Sequence, residues 1–155
     1  MALLLGAVVL GCGRRGHPVL GSVTLKPKIE SLLSVSIARS RSQPWRLRFS
    51  LPGGFSGDSG YTGRVSVFVT NDDKVPLSIY LGSGKDKLLI SPSDTQKIFD
   101  GTYNEMFMLG RTQQEEMTIL SSKERKVNLT FRFIHDLQDR DLEVIVSTWF
   151  LSYGP

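Results

Sequence analysis

The chain has 155 residues, 40% of them apolar and 22% charged, with a single cysteine and a formal net charge of +4. These values are ordinary for a globular domain. They exclude an intramolecular disulfide, and no low-complexity tract or fixed-period repeat stands out. The charge is uneven: from Arg14 to Arg48 eight Lys/Arg face only Glu30, a balance of +7, and from Phe49 onward eleven Lys/Arg face fourteen Asp/Glu, a balance of −3.

Residues 2–10 are an apolar run with one glycine inside it, ending at Gly11 and Cys12. A helix needs about 20 apolar residues to span a bilayer, so this run is too short to cross one. It is long enough for the apolar core of an export signal. From the residues alone, a buried strand or a frayed terminus is the alternative. The tetrad Val9-Leu10-Gly11-Cys12 resembles the lipobox of bacterial lipoproteins. That resemblance implies export to the bacterial cell envelope, with Cys12 lipidated and becoming the mature N-terminus. The protein would then be membrane-anchored, or periplasmic if it is secreted without lipid. Lipidation would also remove the hazard of a lone thiol in an oxidising compartment.

Residues 13–18 read as a linker, broken by Gly13, Gly16 and Pro18 and solvated by Arg14 and Arg15. The basic first third would lie against anionic headgroups if Cys12 carries lipid. Its rivals are a solvated strand face and a nucleic-acid surface. The latter is set aside because the basic residues are not interleaved with aromatics. The domain division is a signal-like segment over 1–11, a linker over 12–18 and one β domain over 19–155.

From Val19 on, the dominant period is two. Val65, Val67 and Val69 alternate with Ser66, Phe68 and Thr70; Val127, Leu129, Phe131 and Phe133 alternate with Asn128, Thr130 and Arg132. Leu142, Val144, Val146 and Thr148 face away from Glu143, Ile145, Ser147 and Trp149. Such alternation buries one face of a strand. Shorter strands are expected over 19–25, 45–51, 77–81, 87–90, 96–99, 107–109 and 117–120. The segment 29–38 fits either a helical face or a strand, and Ser34, Val35 and Ser36 favour the strand. Turn chemistry falls at Pro52-Gly53-Gly54, Asn71-Asp72-Asp73, Gly82-Ser83-Gly84, Ser91-Pro92-Ser93-Asp94 and Asp100-Gly101. Strands 127–135 and 142–150 flank a polar loop and are expected to pair as a hairpin, their apolar faces at the centre of the core. The expected fold is all-β: an antiparallel sandwich, Ig-like or similar, with a barrel as the alternative.

Several motifs carry chemistry on paper. Gly57-Asp58-Ser59-Gly60 resembles the nucleophile motif of chymotrypsin-like serine proteases, which implies Ser59 as nucleophile. That family needs His and then Asp upstream on a separate barrel; here only His17 precedes, and Tyr61 replaces the next glycine, so a flexible loop is the simpler reading. Gly82-Ser83-Gly84-Lys85 has Asp86 where a phosphate loop needs Ser or Thr, and reads as a hairpin turn. His135, Asp136, Asp139 and Asp141 form an acidic cluster without metal-ligand spacing, so no metal and no cofactor is expected. Asn128-Leu129-Thr130 is an N-glycosylation triplet of the kind chance supplies often. Trp45, Tyr61, Trp149, Phe150 and Tyr153 line the core or form a contact patch.

The reading is therefore a non-enzymatic binding or assembly module of the envelope, attached through Cys12 to a membrane surface and engaging a protein partner. In length and architecture it resembles, by fold-level analogy, the outer-membrane lipoprotein of type VI secretion. The competing classes are a serine hydrolase centred on Ser59 and a carbohydrate-binding sandwich using Trp149 or Trp45.

Overall fold

The computed structural model describes residues 19–38, 45–53, 62–81, 86–109, 117–120, 126–137 and 140–149. These contain strands β1 (Val19–Leu25), β2 (Ser31–Ala38), β3 (Trp45–Ser50), β4 (Arg64–Asn71) and β5 (Leu77–Leu81). After them come β6 (Asp86–Ile90), β7 (Thr95–Thr102), helix α1 (Tyr103–Met108), β8 (Met117–Leu120), β9 (Lys126–His135) and β10 (Leu142–Trp149). Burial follows the alternation. Val65, Val67 and Val69 of β4 and Val127, Leu129, Phe131 and Phe133 of β9 are buried, with half-exposed residues between them. The ambiguous 29–38 segment is a strand from Ser31, its Leu33, Val35 and Ile37 buried on one face.

Two antiparallel sheets result, one ordered β1-β10-β3-β8-β5-β6 and the other β2-β9-β4-β7. They pack face to face as a sandwich, and no closed barrel forms among the described residues. One cluster of buried residues from both sheets and α1 forms the core. At its middle, Phe49 of β3 meets Phe131 and Phe133 of β9 edge-on, with centroids 6.0 and 6.1 Å apart. Edge-to-face geometry is favoured by the ring quadrupoles, so these three rings tie the sheets together.

Three expectations are corrected. The last two strands do not pair as a hairpin: β9 pairs with β2 and β4, whereas β10 pairs with β1 and β3 in the opposite sheet. The connection turns inward through buried Leu137 and crosses the sandwich as an arch. β1 and β2 are joined by a second arch at the same pole, where Leu25 lies opposite Leu142 and Ser31 opposite Phe133. Both connections bury the same inward faces a hairpin would, so alternation does not distinguish them.

The second correction concerns 107–109, which ends a helix instead of forming a strand. Thr102 and Glu105 form a capping box. The Thr102 Oγ1 accepts from the Glu105 amide at 3.3 Å, and the Glu105 Oε2 accepts from the Thr102 amide at 2.7 Å. Two of the first-turn amides are thereby satisfied. Tyr103, Met106 and Phe107 then fall on one helical face and are buried between the sheets. The third correction is Asp100-Gly101, which lies inside β7 opposite Ser66 and Val65. A side chain at Gly101 would strike the Phe99 ring and the capping carboxylate of Glu105, so this glycine serves close packing and not a turn. The turn at 91–94 forms as expected, with the Asp94 amide donating to the Ser91 carbonyl at 3.0 Å.

Candidate functional site

Many residues singled out in the sequence lie outside the described ones: Cys12, His17, Ser59 with its Gly57–Gly60 motif, Tyr61, the 82–85 turn, Asp139, Phe150 and Tyr153. The same holds for the side chains of Trp45 and Trp149. The structure therefore supplies no geometry for lipidation at Cys12 or nucleophilic attack by Ser59.

His135 and Asp136 of the acidic cluster stand at the arch pole. Asp136 is a structural anchor. Its Oδ1 accepts from the Arg64 amide at 2.7 Å, and its own amide donates to the Arg64 carbonyl at 3.3 Å. Gly63, at φ +119°, lets that carboxylate and the Tyr103 ring close over the backbone; any Cβ there would collide with Asp136. Among the described residues, no group of three or more His, Cys, Asp or Glu is placed to hold a metal ion.

The Tyr103 hydroxyl and both ring nitrogens of His135 are buried without a hydrogen-bond partner among the described residues. The backbone of Leu137 and Asp136 approaches the phenol, and that of Ile29 the imidazole, without reaching hydrogen-bonding geometry. Burial, and secondarily the Asp136 charge, pushes the phenol ionisation far above its ordinary range. Burial likewise lowers the imidazole ionisation. Both shifts favour the uncharged forms of the two groups.

A pH dependence follows. The folded imidazole resists protonation, while the unfolded one titrates near its ordinary 6.5. The unfolded state thus binds more protons, and stability declines as the pH falls through 6.5. Thermal melting of the wild type should drop between about pH 7 and about pH 5, and His135→Leu should flatten that part of the decline. An identical slope in both proteins would refute the assignment.

On the outer face of the four-stranded sheet, polar side chains serve each other. One cross-strand row is Ser34, Thr130, Thr70 and Thr95. Hydroxyl pairs close it at 2.9 Å (Ser34–Thr130) and 2.7 Å (Thr70–Thr95), and Thr130 donates to Asp72 at 2.6 Å. Asn128 faces outward as expected, but its side chain is already engaged. It donates to Asp73 Oδ1 at 2.8 Å and accepts from Ser36 at 2.8 Å, so the triplet's amide is a strut. Arg132 lies 4.6 Å above the Phe68 ring and 3.6 Å from Glu30. Asp100 sits 3.4 Å from both Lys97 and Arg64; the Lys97 hydrogen bond foremost holds its carboxyl below the usual range.

Some large apolar side chains remain exposed among the described residues, three of them around the start of β2. The exposed large apolar residues among those described are Val19, Ile29, Leu32, Leu89 and Ile134. Val19 is on β1, Ile29 in the arch leading to β2, Leu32 on β2, and Ile134 on β9 diagonal to Leu32. Val19, at the far end of β1 in the other sheet, and Leu89, on β6, lie apart from the other three.

Among the described residues, β2 is an edge strand of the four-stranded sheet. Edge strands expose unpaired N–H and C=O groups, and proteins blunt them with shortness, charge, proline or bulges. The β1 register shifts between Val19 and Gly21, and the β4–β7 register shifts between Val67 and Phe68. β7 also carries Lys97 and Asp100, and β6 has five residues including Asp86 and Lys87. β2 has none of these devices. Its eight residues, Ser-Leu-Leu-Ser-Val-Ser-Ile-Ala, contain no charge, proline or glycine and pair with β9 in unbroken register. The sequence shows the strand but not its place at an edge, because strand order is not a local pattern.

No protein-family model matches the chain, and no curated protein is significantly similar to it.

Proposed function

We propose that the chain is an exported bacterial envelope protein, lipid-anchored through Cys12, that acts as a non-enzymatic binding or assembly module. The observation that carries the binding half is the unguarded β2 edge, flanked by exposed Ile29, Leu32 and Ile134. An uncharged, regular edge accepts a further strand through main-chain hydrogen bonds, and adjacent apolar side chains give the contact area. The anchoring half rests on the lipobox-like Val9-Leu10-Gly11-Cys12 and on the basic stretch after it, which suits an anionic surface. The buried Tyr103, the enclosed ring nitrogens of His135 and the internally paired Asp72, Asp73, Asp100 and Asp136 support a scaffolding role for the polar groups of the sandwich.

The deciding experiment is the intact mass of the mature protein isolated from its native host. A chain beginning at Cys12 with a diacyl or triacyl adduct is expected. A mature chain that retains Met1 would end the anchoring proposal.

A further inference from the structure

We infer that the occupant of the β2 edge is a second copy of the same chain, paired β2 to β2 about a two-fold axis normal to the sheet. The inference rests on the reading of β2 as a binding edge and names the partner. The first argument is self-complementarity. A two-fold axis sets a strand antiparallel to its own copy, and inward and outward faces match only when the axis passes at a residue. With the axis at Ser34 or Val35, Leu33, Val35 and Ile37 of both copies stay on the core side. Leu32, Ser34 and Ser36 of both stay on the outer side. The four-stranded sheet then continues into its copy, with β2 central instead of terminal.

Charge is the second argument. A symmetric strand pair places the residues at its centre beside their own copies, so a charged side chain in mid-strand would meet its own sign. Lysine at edges works against association for this reason. β2 carries no charge from Ser31 to Ala38, although the chain as a whole is 22% charged. The other three edges carry a bulge, a charge or a short strand. Among the described edges, β2 is the one that lacks this protection.

The third argument is where the apolar surface lies. Leu32 is 57% exposed and Ile29 57%. Leu32 lies on β2 itself and Ile29 two residues before it, so both border the strand that the copy would join. Burying them against the copy removes apolar area from water in the same step that pairs the main chain.

The test is sedimentation of the full chain carrying Cys12→Ser, so that no lipid or thiol holds copies together. Across the micromolar range it should sediment as a reversible dimer. Ser34→Lys, which sets two ammonium groups beside the axis, should shift it to monomer with its cooperative melt retained. Should Ser34→Lys fail to fold, Leu32→Lys at an exposed position decides the question in the same way. Leu89→Lys, on the distant β6, should leave the dimer intact. The inference is overturned by a wild type that is monomeric throughout, by a dimer indifferent to the β2 lysines, or by one lost equally with Leu89→Lys. A monomer that instead captures a different protein on the β2 edge overturns self-pairing and leaves the binding-module reading standing. An unmodified Cys12 in the native host removes the anchor and leaves the sedimentation result untouched.

Discussion

Val146→Asp should leave the chain unable to fold, appearing as loss of soluble protein or of any cooperative melt. Val146 is fully buried on β10, between Gly21 of β1 and Phe49 of β3. Its neighbours across the core are apolar, with the Phe49, Phe131 and Phe133 cluster at the centre. A carboxylate there loses its hydration and finds no cation. The effective penalty for a buried unpaired ion is several kcal/mol. Added to the lost packing of the isopropyl group, it approaches the whole stability of a domain this size, about 5–15 kcal/mol. The control is one residue away. Ile145→Asp lies on the opposite face of β10, partly open to water, and should stay folded with a modest drop in melting temperature. A Val146→Asp protein melting near the wild type, or an Ile145→Asp protein that collapses, would mean the inward face of β10 is misassigned.

The same pair of substitutions marks what the sequence makes legible. Period-two burial is imposed strand by strand, so Val65 to Val69, Val127 to Phe133 and Leu142 to Thr148 announce their inward faces directly. Which strand each one pairs with is not local. Phe131 and Phe133 meet β2 and β4 as neighbours and Phe49 across the core, and nothing between 136 and 141 separates an arch from a hairpin except Leu137, a single buried residue. The helix was readable: Thr102-Tyr103-Asn104-Glu105 is a capping-box sequence, and Tyr103, Met106 and Phe107 have helical spacing. Asp100-Gly101 directly before it suggested a turn because glycine's tight-packing use resembles its turn use until the Phe99 and Glu105 neighbours are seen.

The candidate site divides in the same way. Cys12 is proposed as an attachment site from its resemblance to a lipobox alone, a short linear signal that needs no fold. The β2 edge requires the strand order of both sheets, since an uncharged Ser-Leu-Leu-Ser-Val-Ser-Ile-Ala would be unremarkable in the middle of a sheet. His135 and Asp136 belong to an acidic cluster in the sequence, but their surroundings come from the third dimension: the ring nitrogens of one are buried and the other pins the Arg64 backbone.

Asn71→Ala is expected to be the most damaging polar substitution among the described residues, because Asn71 stitches the two sheets together. The residue reads in sequence as the start of a turn, yet it is fully buried at the end of β4. Its Nδ2 donates to the Val75 carbonyl at 2.8 Å and to the Ile90 carbonyl at 3.0 Å, and its Oδ1 accepts from the Asp73 amide at 2.9 Å. Ile90 belongs to β6, in the opposite sheet. The Asn71 backbone meanwhile holds the 91–94 turn through Asp94 and Ser93. Alanine keeps those backbone bonds and orphans two carbonyls and one amide, each costing about 1–3 kcal/mol when it stays buried. A loss of about 3 kcal/mol or more in urea unfolding is therefore expected. The damage should spread along the loop, since the amide that Asn71 positions belongs to Asp73. That carboxylate in turn accepts from the Asn128 amide and side chain at 2.8 Å. Asn71→Ala combined with Asp73→Ala should accordingly cost less than the two single losses added, because both remove one connected network. Asn71→Asp sharpens the test: it keeps the acceptor and the shape but points an oxygen at the Val75 and Ile90 carbonyls. It should therefore destabilise at neutral pH and recover in part as the new carboxyl takes up a proton in acid. A loss under about 1 kcal/mol for Asn71→Ala, or strict additivity with Asp73→Ala, would show that the sheets are held at this pole by apolar packing alone.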